Sequence, residues 1–151
     1  MTTIDRADWH YSGDFPNKLP KKNGGTHIGM YLHWIIDNDL MGDMLLENAA
    51  GGIQDVKSGK ISGRDFLFEY CDEKFTEDFL KEEGLEFTRR YYKRRGIYMY
   101  DYQELLGKNY DSLYEIPDTR ENYKLIAAKI TKEFDRWKSR GAKKSWQFWK
   151  K

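Results

Sequence analysis

Gly24-Gly25-Thr26-His27-Ile28-Gly29-Met30-Tyr31-Leu32-His33-Trp34-Ile35-Ile36 is the stretch whose reading decides the fold. Its apolar residues Ile28, Tyr31, Leu32, Ile35 and Ile36 recur at i, i+3, i+4, i+7 and i+8, the period of one helical face. Thr26 stands where a side-chain oxygen can accept from the free N–H groups of a first turn, so it is the expected cap. Met30 and Trp34 lie beside the stripe and widen it. Asp37-Asn38-Asp39 and Gly42 mark where the helix should stop.

Downstream, the pattern stays helical. A second helix is expected from about Asp43 to Lys57, with a break at Gly51-Gly52, because each glycine costs roughly 1 kcal/mol relative to alanine inside a helix. Ser58-Gly59-Lys60 reads as a turn. Ser62 can cap a short helix through Asp72, and Thr76 a longer one through about Arg94, with Phe79, Leu80, Phe87 and Tyr91 on one face. Tyr98-Met99-Tyr100 reads as a short extended segment before a helical turn at Tyr102–Leu106. Pro117 precedes Asp118, and Glu121 follows three residues later, which completes a capping-box pattern. Tyr123, Ile126, Ala127, Ile130, Phe134 and Trp137 then form one stripe, expected to end at Gly141.

Upstream, residues 5–25 cannot be a regular helix. Gly13, Pro16, Pro20, Gly24 and Gly25 punctuate them, and proline lacks the donor that helices and ladders need. The expected fold is mainly α: a compact single-domain helical bundle, residues 1–151, with a small β element possible. Residues 1–25 form an irregular arm, 26–140 the helical body and 141–151 a basic aromatic tail.

A chain of 151 residues with 39% hydrophobic and 16% aromatic residues can bury a sizeable core, built chiefly around rings. A single cysteine, Cys71, rules out an internal disulfide and, among Phe66, Leu67 and Tyr70, is expected to be a buried inert thiol. The N-terminus has no apolar run behind a basic start, and nothing approaches a membrane span of about 20 apolar residues. The expected location is cytoplasmic. A net charge of +1 hides an asymmetry. Eight acids against two bases lie between Glu69 and Glu86, then Arg89, Arg90, Lys93, Arg94 and Arg95 follow. Separated charge of this kind steers charged partners.

All three histidines fall in the first third of the chain. His10, Asp14 and His27, with Trp9 and Tyr11, are the candidate ligand pocket. His27 and His33 cannot share one ion, because six residues turn a helix by about 240°. Neither HExxH nor a cysteine pair occurs, so no metal site, no cofactor and no catalytic set is expected. Gly24-Gly25-Thr26 resembles a minimal anion cradle but lacks the rest of a phosphate loop. Arg89-Arg90-Tyr91-Tyr92-Lys93-Arg94-Arg95 mixes bases with rings suited to nucleic acid, yet the neighbouring acids and near-neutral balance argue against a dedicated binder. Trp146 and Trp149 in the lysine-rich tail are expected to dock on the protein or a partner.

Asp5-Arg6-Ala7-Asp8-Trp9-His10-Tyr11-Ser12-Gly13-Asp14-Phe15-Pro16, Gly25-Thr26-His27-Ile28-Gly29-Met30 and Cys71-Asp72-Glu73-Lys74-Phe75 together resemble an uncharacterised bacterial domain family of unknown function, over residues 5 to about 105. The resemblance implies a small protein of the kind found in bacterial toxin–immunity neighbourhoods. The expected function is thus a non-enzymatic immunity protein that neutralises a cognate toxin. Its expected contact face is Glu69, Asp72, Glu73, Glu77, Asp78, Glu82 and Glu83, beside tyrosine, tryptophan and arginine residues typical of binding hot spots. The alternative is a small-ligand-binding protein or enzyme using His10, Asp14 and His27 as acid/base or orienting groups, or, third, a nucleic-acid accessory protein.

Overall fold

The helix at residues 26–37 is the axis of the molecule. In the computed structural model, which describes residues 2–13, 15–94 and 96–149 and side chains through Gly141, α1 (Thr26–Asp37) has every residue from Thr26 to Ile36 buried. A helix apolar on one stripe lies on a surface; one covered all round is a core helix. The sequence stripe therefore understates its burial. Gly25 occupies the cap position, and Thr26 is the first helical residue, its hydroxyl accepting instead from Arg64 Nη1 at 3.1 Å.

Around α1 stand α2 (Asp43–Asn48), α3 (Ala50–Ser58), α4 (Gly63–Tyr70), α5 (Glu82–Thr88), α6 (Ile97–Leu106) and α7 (Arg120–Trp149). Two short strands, β1 (Thr3–Arg6) and β2 (Lys74–Thr76), pair antiparallel. The protein is a compact, mainly α-helical bundle with a small two-stranded element, as the residue pattern leads one to expect. None of its described helices is long and apolar enough to cross a membrane.

α1 and α4 cross backbone to backbone. A Cβ on Gly63 would lie 1.9 Å from the carbonyl oxygen of Gly29, and one on Gly29 would lie 2.3 Å from Arg64 N. Only glycine at both positions permits that approach. α4 starts with a full capping box, Ser62 Oγ accepting from Asp65 N at 3.1 Å while Asp65 Oδ2 accepts from Ser62 N at 3.2 Å. Rings fill the centre: Tyr31 sits 4.9 Å from Tyr92 and 5.0 Å from Tyr98, centroid to centroid. α7 closes one side through Tyr123, Ile126, Ile130 and Phe134, and Trp34 Nε1 donates to Thr131 Oγ1 at 3.0 Å.

Local departures from the sequence pattern have local causes. The second helix breaks at Ala49, ahead of Gly51-Gly52, and Gly52 is held where a Cβ would strike Tyr70. The helix expected from Thr76 to Arg94 is interrupted because Leu80 pairs with Met41 in a β-bridge and Lys81 N donates to Leu40 O at 3.0 Å. Its last part, Arg89–Arg94, is a π-helix. Tyr98-Met99-Tyr100 is helical, not extended, because Tyr98 and Tyr102 bury together on one face of α6. Asp118 does not cap α7; Ser62 Oγ and Arg64 hold its carboxylate, and Thr119 Oγ1 accepts from Asn122 N instead. α7 continues past Gly141 to Trp149. The side chains of Trp146, Phe148 and Trp149 lie outside the described residues.

Candidate metal centre

β1 is a short strand with a fault in it. Its register shifts between Thr3 and Asp5, and Ile4 and Asp5 are both buried although successive strand residues face opposite ways. Such irregularities re-aim side chains. Here the result is that Asp5 points into the protein. The chain then tightens into a 3₁₀ turn, Ala7–His10, whose first N–H donates to Glu73 O at 3.0 Å, and this turn brings His10 back over Asp5. His27 arrives from the first turn of α1.

Three elements thus deliver three donors to one point. His10 Nε2 lies 2.8 Å from Asp5 Oδ1, and His27 Nε2 lies 3.2 Å from Asp5 Oδ2. The two imidazoles meet edge to face, 4.5 Å between centroids. One ligand atom from each of Asp5, His10 and His27 can be chosen so that all lie within 4.8 Å of one another.

Outer partners hold the Asp5 carboxylate, the His10 ring and the His27 backbone. Arg6 N donates to Asp5 Oδ1 at 2.8 Å, and Tyr92 OH donates to Asp5 Oδ2 at 2.6 Å. Tyr92 reaches inward from the π-helix, whose wider turn lets the adjacent Tyr91 and Tyr92 both be buried. His10 Nδ1 lies 2.7 Å from Tyr114 OH, and Tyr98 OH donates to the His27 carbonyl at 2.5 Å.

Charge follows from this geometry. Burial pushes the Asp5 carboxyl up, but hydrogen bonds from His10 and His27 outweigh it and hold the group well below the usual carboxylate range. Asp5 is an anion. Burial pulls the His27 imidazole below its ordinary value of 6.5 against the attraction of Asp5, so this ring is neutral at neutral pH. Burial and the Asp5 charge keep Tyr92 a phenol. His27 Nδ1 is buried without a partner among the described residues. An uncompensated buried polar atom costs roughly 1–3 kcal/mol, which a water bonded there would offset.

Of the residues singled out from the sequence, His10 and His27 converge. Tyr11 lies alongside, its ring against Phe15 and its hydroxyl donating to Glu73 at 2.8 Å. Trp9 is exposed, and Asp14 lies outside the described residues. The carboxylate of the cluster is Asp5, and the three side chains form a set that could hold a metal ion. His33 stays apart, stacked on Tyr123 at 3.6 Å. Asp5 and Tyr114 are not among the candidates the sequence offers, and Tyr92 enters only as a base-stacking ring. Asp5 stood in the quoted motif, but only the β1 irregularity turns it inward, and the two tyrosines come from distant segments.

The other expected sites look different in three dimensions. Gly24 and Gly25 are covered by Tyr11 and Phe68, which closes the presumed anion cradle. Tyr91 and Tyr92 are buried and cannot stack on bases, and Arg89 grips Glu77 with two hydrogen bonds. The acidic residues spread over several elements: Glu69 on α4, Asp72 and Glu73 in the following turn, Glu77 and Asp78 in a 3₁₀ turn, Glu82 and Glu83 on α5. Glu73, Glu77, Asp78 and Glu83 already bind Tyr11, Arg89, Thr76 and Lys138. The expectation of a purely protein-binding, toxin-neutralising function rested on abundant tyrosine, tryptophan and arginine, on separated charge blocks and on the lack of an assembled catalytic set. The Asp5–His10–His27 cluster overturns it in favour of a ligand- or metal-binding role.

A family model described as "Domain of unknown function (DUF7832)" matches residues 3–116. Asp5, His10, His27, Tyr92 and Tyr114 all fall inside the matched region, and α7 lies outside it. No curated protein and no solved structure matches the chain.

Proposed function

The chain belongs to this domain family of unknown function, and on that premise we propose that Asp5, His10 and His27 hold a divalent transition-metal ion and that the protein acts on, or binds, a small molecule there. The observation that carries the proposal is the convergence of two imidazoles and one carboxylate from β1, the 3₁₀ turn and α1. Two nitrogen donors and one oxygen suit zinc-class ions. With bonds of about 2.1 Å, neighbouring ligands of a tetrahedral ion sit about 3.4 Å apart. His27 Nε2 lies 3.2 Å from Asp5 Oδ2, close to that edge, whereas His10 Nε2 lies 2.8 Å from the other oxygen, Oδ1, so the carboxylate has to turn to share one oxygen with both nitrogens about one ion.

Three protein donors leave a fourth position, the arrangement of catalytic rather than structural zinc sites. His27 is sealed and Asp5 nearly so, whereas the His10 side chain keeps 18% of its surface exposed, so approach is from the His10 side. Tyr114 on His10, and Tyr92 and the Arg6 N–H on Asp5, supply the outer contacts that orient ligands in such centres. When bound, the ion would serve as a Lewis acid toward a ligand oxygen.

The test is calorimetry of chelator-stripped protein with Zn²⁺, Fe²⁺ and Mn²⁺, alongside His10→Ala. Losing an outer partner of a metal site costs roughly 10–100-fold in affinity, so losing a ligand should cost at least that. One ion per chain, weakened in a folded His10→Ala variant, supports the proposal. No stoichiometric binding, or an unchanged affinity in His10→Ala, overturns it.

A further inference from the structure

A second cluster lies on the other side of α1. His33 and Tyr123 stack almost parallel, 3.6 Å between centroids and 5° between planes, and both are buried. The stacked pair borders two recesses. One, of about 190 Å³, is completed by Lys60, Ser62, Asp118 and Arg120; the other, of about 180 Å³, by Asp37, Lys57, Arg120 and Lys124. Arg120 borders both.

Around the two recesses the bases Lys57, Lys60, Arg64, Arg120 and Lys124 outnumber the acids Asp37, Asp39, Asp65 and Asp118 by one. Asp118 accepts from Ser62 Oγ at 2.6 Å and faces Arg64 at 3.4 Å, and Asp65 is committed to the α4 capping box. Asp37 accepts from Tyr123 OH at 2.6 Å and faces His33 at 3.4 Å. Each carboxylate therefore has partners within the wall. On the cationic side Arg64 is matched by Asp118 and Lys57 by Asp39, the latter at 2.8 Å. The side chains of Lys60, Arg120 and Lys124 make no ion pair or hydrogen bond among the described residues.

Arg120 lies over Gly59. Gly59 adopts φ of +82°, and a Cβ there would come within 2.6 Å of Arg120 Nη1. The guanidinium lies against bare backbone, where any other residue would displace it. A planar fork with free donors beside two unpaired lysines is a recognition set for a phosphate or carboxylate.

We propose that the His33–Tyr123–Arg120 recess binds a small phosphomonoester, with Arg120 and Lys60 gripping the phosphate and Lys124 adding to the positive field. Each recess is smaller than the roughly 300–1,000 Å³ of pockets that take drug-sized ligands. The occupant is therefore of triose- or pentose-phosphate size, smaller than a nucleotide. His27 and His33 project from α1 about 240° apart, so this site is distinct from the metal centre and does not depend on it.

The experiment is a ¹H–¹⁵N and histidine-ring NMR titration of metal-free full-length protein with inorganic phosphate and glycerol 3-phosphate, glycerol serving as the neutral control. The variants are Arg120→Gln, at an exposed position, and His10→Ala. Saturable shifts at the His33 ring and the first turn of α7, weakened about tenfold or more in Arg120→Gln as expected for loss of a charged fork, and unchanged in His10→Ala, are the expected result. No saturation at millimolar phosphate and glycerol 3-phosphate overturns the proposal. So does binding that Arg120→Gln leaves intact, or shifts confined to other surfaces. Because no metal is present, failure of the metal centre leaves a separate record: lost ion binding with the phosphate titration unaltered.

Discussion

Asp5→Asn is the sharpest perturbation of this molecule, because the carboxylate accepts from four donors at once. Arg6 N and His10 approach Oδ1, and Tyr92 OH and His27 approach Oδ2. An amide keeps one oxygen and presents two N–H groups on the other side. The Arg6 N–H cannot reverse its polarity, so the amide oxygen stays with it and the nitrogen turns toward Tyr92 and His27. Two charge-assisted bonds are then lost. At about 1.5 kcal/mol each, the low end for bonds to charged groups, folding weakens by about 3 kcal/mol. For a chain of this size that lowers the melting temperature by roughly 6–12 °C.

The pH dependence of that loss has a definite sign. Asp5 titrates below its ordinary value of 3.8 in the folded protein, so its stabilisation is complete above 3.8 and vanishes as pH falls through the folded value. His27 titrates below 6.5, so the unfolded chain takes up that proton first and stability falls as pH drops below 6.5. Without Asp5, nothing opposes the burial that depresses His27, and that fall steepens. Urea denaturation in chelator, followed by tryptophan fluorescence, should show the gap between wild type and Asp5→Asn widening slightly below pH 6.5 and then closing below 3.8. A gap under about 1 kcal/mol at neutral pH, less than one ordinary hydrogen bond, or a gap indifferent to pH, would refute the reasoning.

Tyr114→Phe removes the hydroxyl 2.7 Å from His10 Nδ1 and should weaken metal binding roughly 10–100-fold in calorimetry, while the unfolding midpoint hardly moves. Gly63→Ala drives a methyl into the Gly29 carbonyl and should cost about 3 kcal/mol or more, read by thermal denaturation; a near-native melting temperature would mean that α1 and α4 can separate. Cys71 is buried, and burial pushes its thiol up to about 12, so a thiol reagent should label it only in denaturant; prompt labelling of native protein would contradict that placement. Ser62→Ala removes both the α4 cap and the partner of Asp118, a loss of at least about 1 kcal/mol in urea denaturation.

Much of the helical frame was legible because burial follows period. Ile28, Tyr31, Leu32, Ile35 and Ile36, and the stripe from Tyr123 to Phe134, are core as the spacing predicts. Ser62 caps α4 as a serine before a short apolar run should. Tertiary partners decided the rest. Thr26 and Asp118 are good caps in isolation, but Arg64 and Ser62 claim their oxygens. Tyr98 favours an extended reading locally, yet its ring packs at 5.0 Å on Tyr92 and its hydroxyl on the His27 carbonyl. In the metal centre, His10 and His27 were visible as residue types. Asp5 was not, because its inward turn depends on a register shift against a strand about seventy residues away. Tyr92 and Tyr114 are similarly remote in sequence, and no short-range pattern joins them.

The pairing of β1 with β2 has a further consequence, in the order of events during folding. Thr3 meets Thr76 and Arg6 meets Lys74, so the strand contact closes a long loop, an entropic cost that must be met before the contact yields anything. The helical body can form from more local contacts, whereas the first ten residues dock only once that body exists. Two of the three donors, Asp5 and His10, ride on this late-docking strand and turn. Opening of the N-terminal segment alone would therefore dismantle the centre while the helices stay folded. A protease that clips between His10 and His27 would leave a helical body with one donor of the three, His27, and no centre.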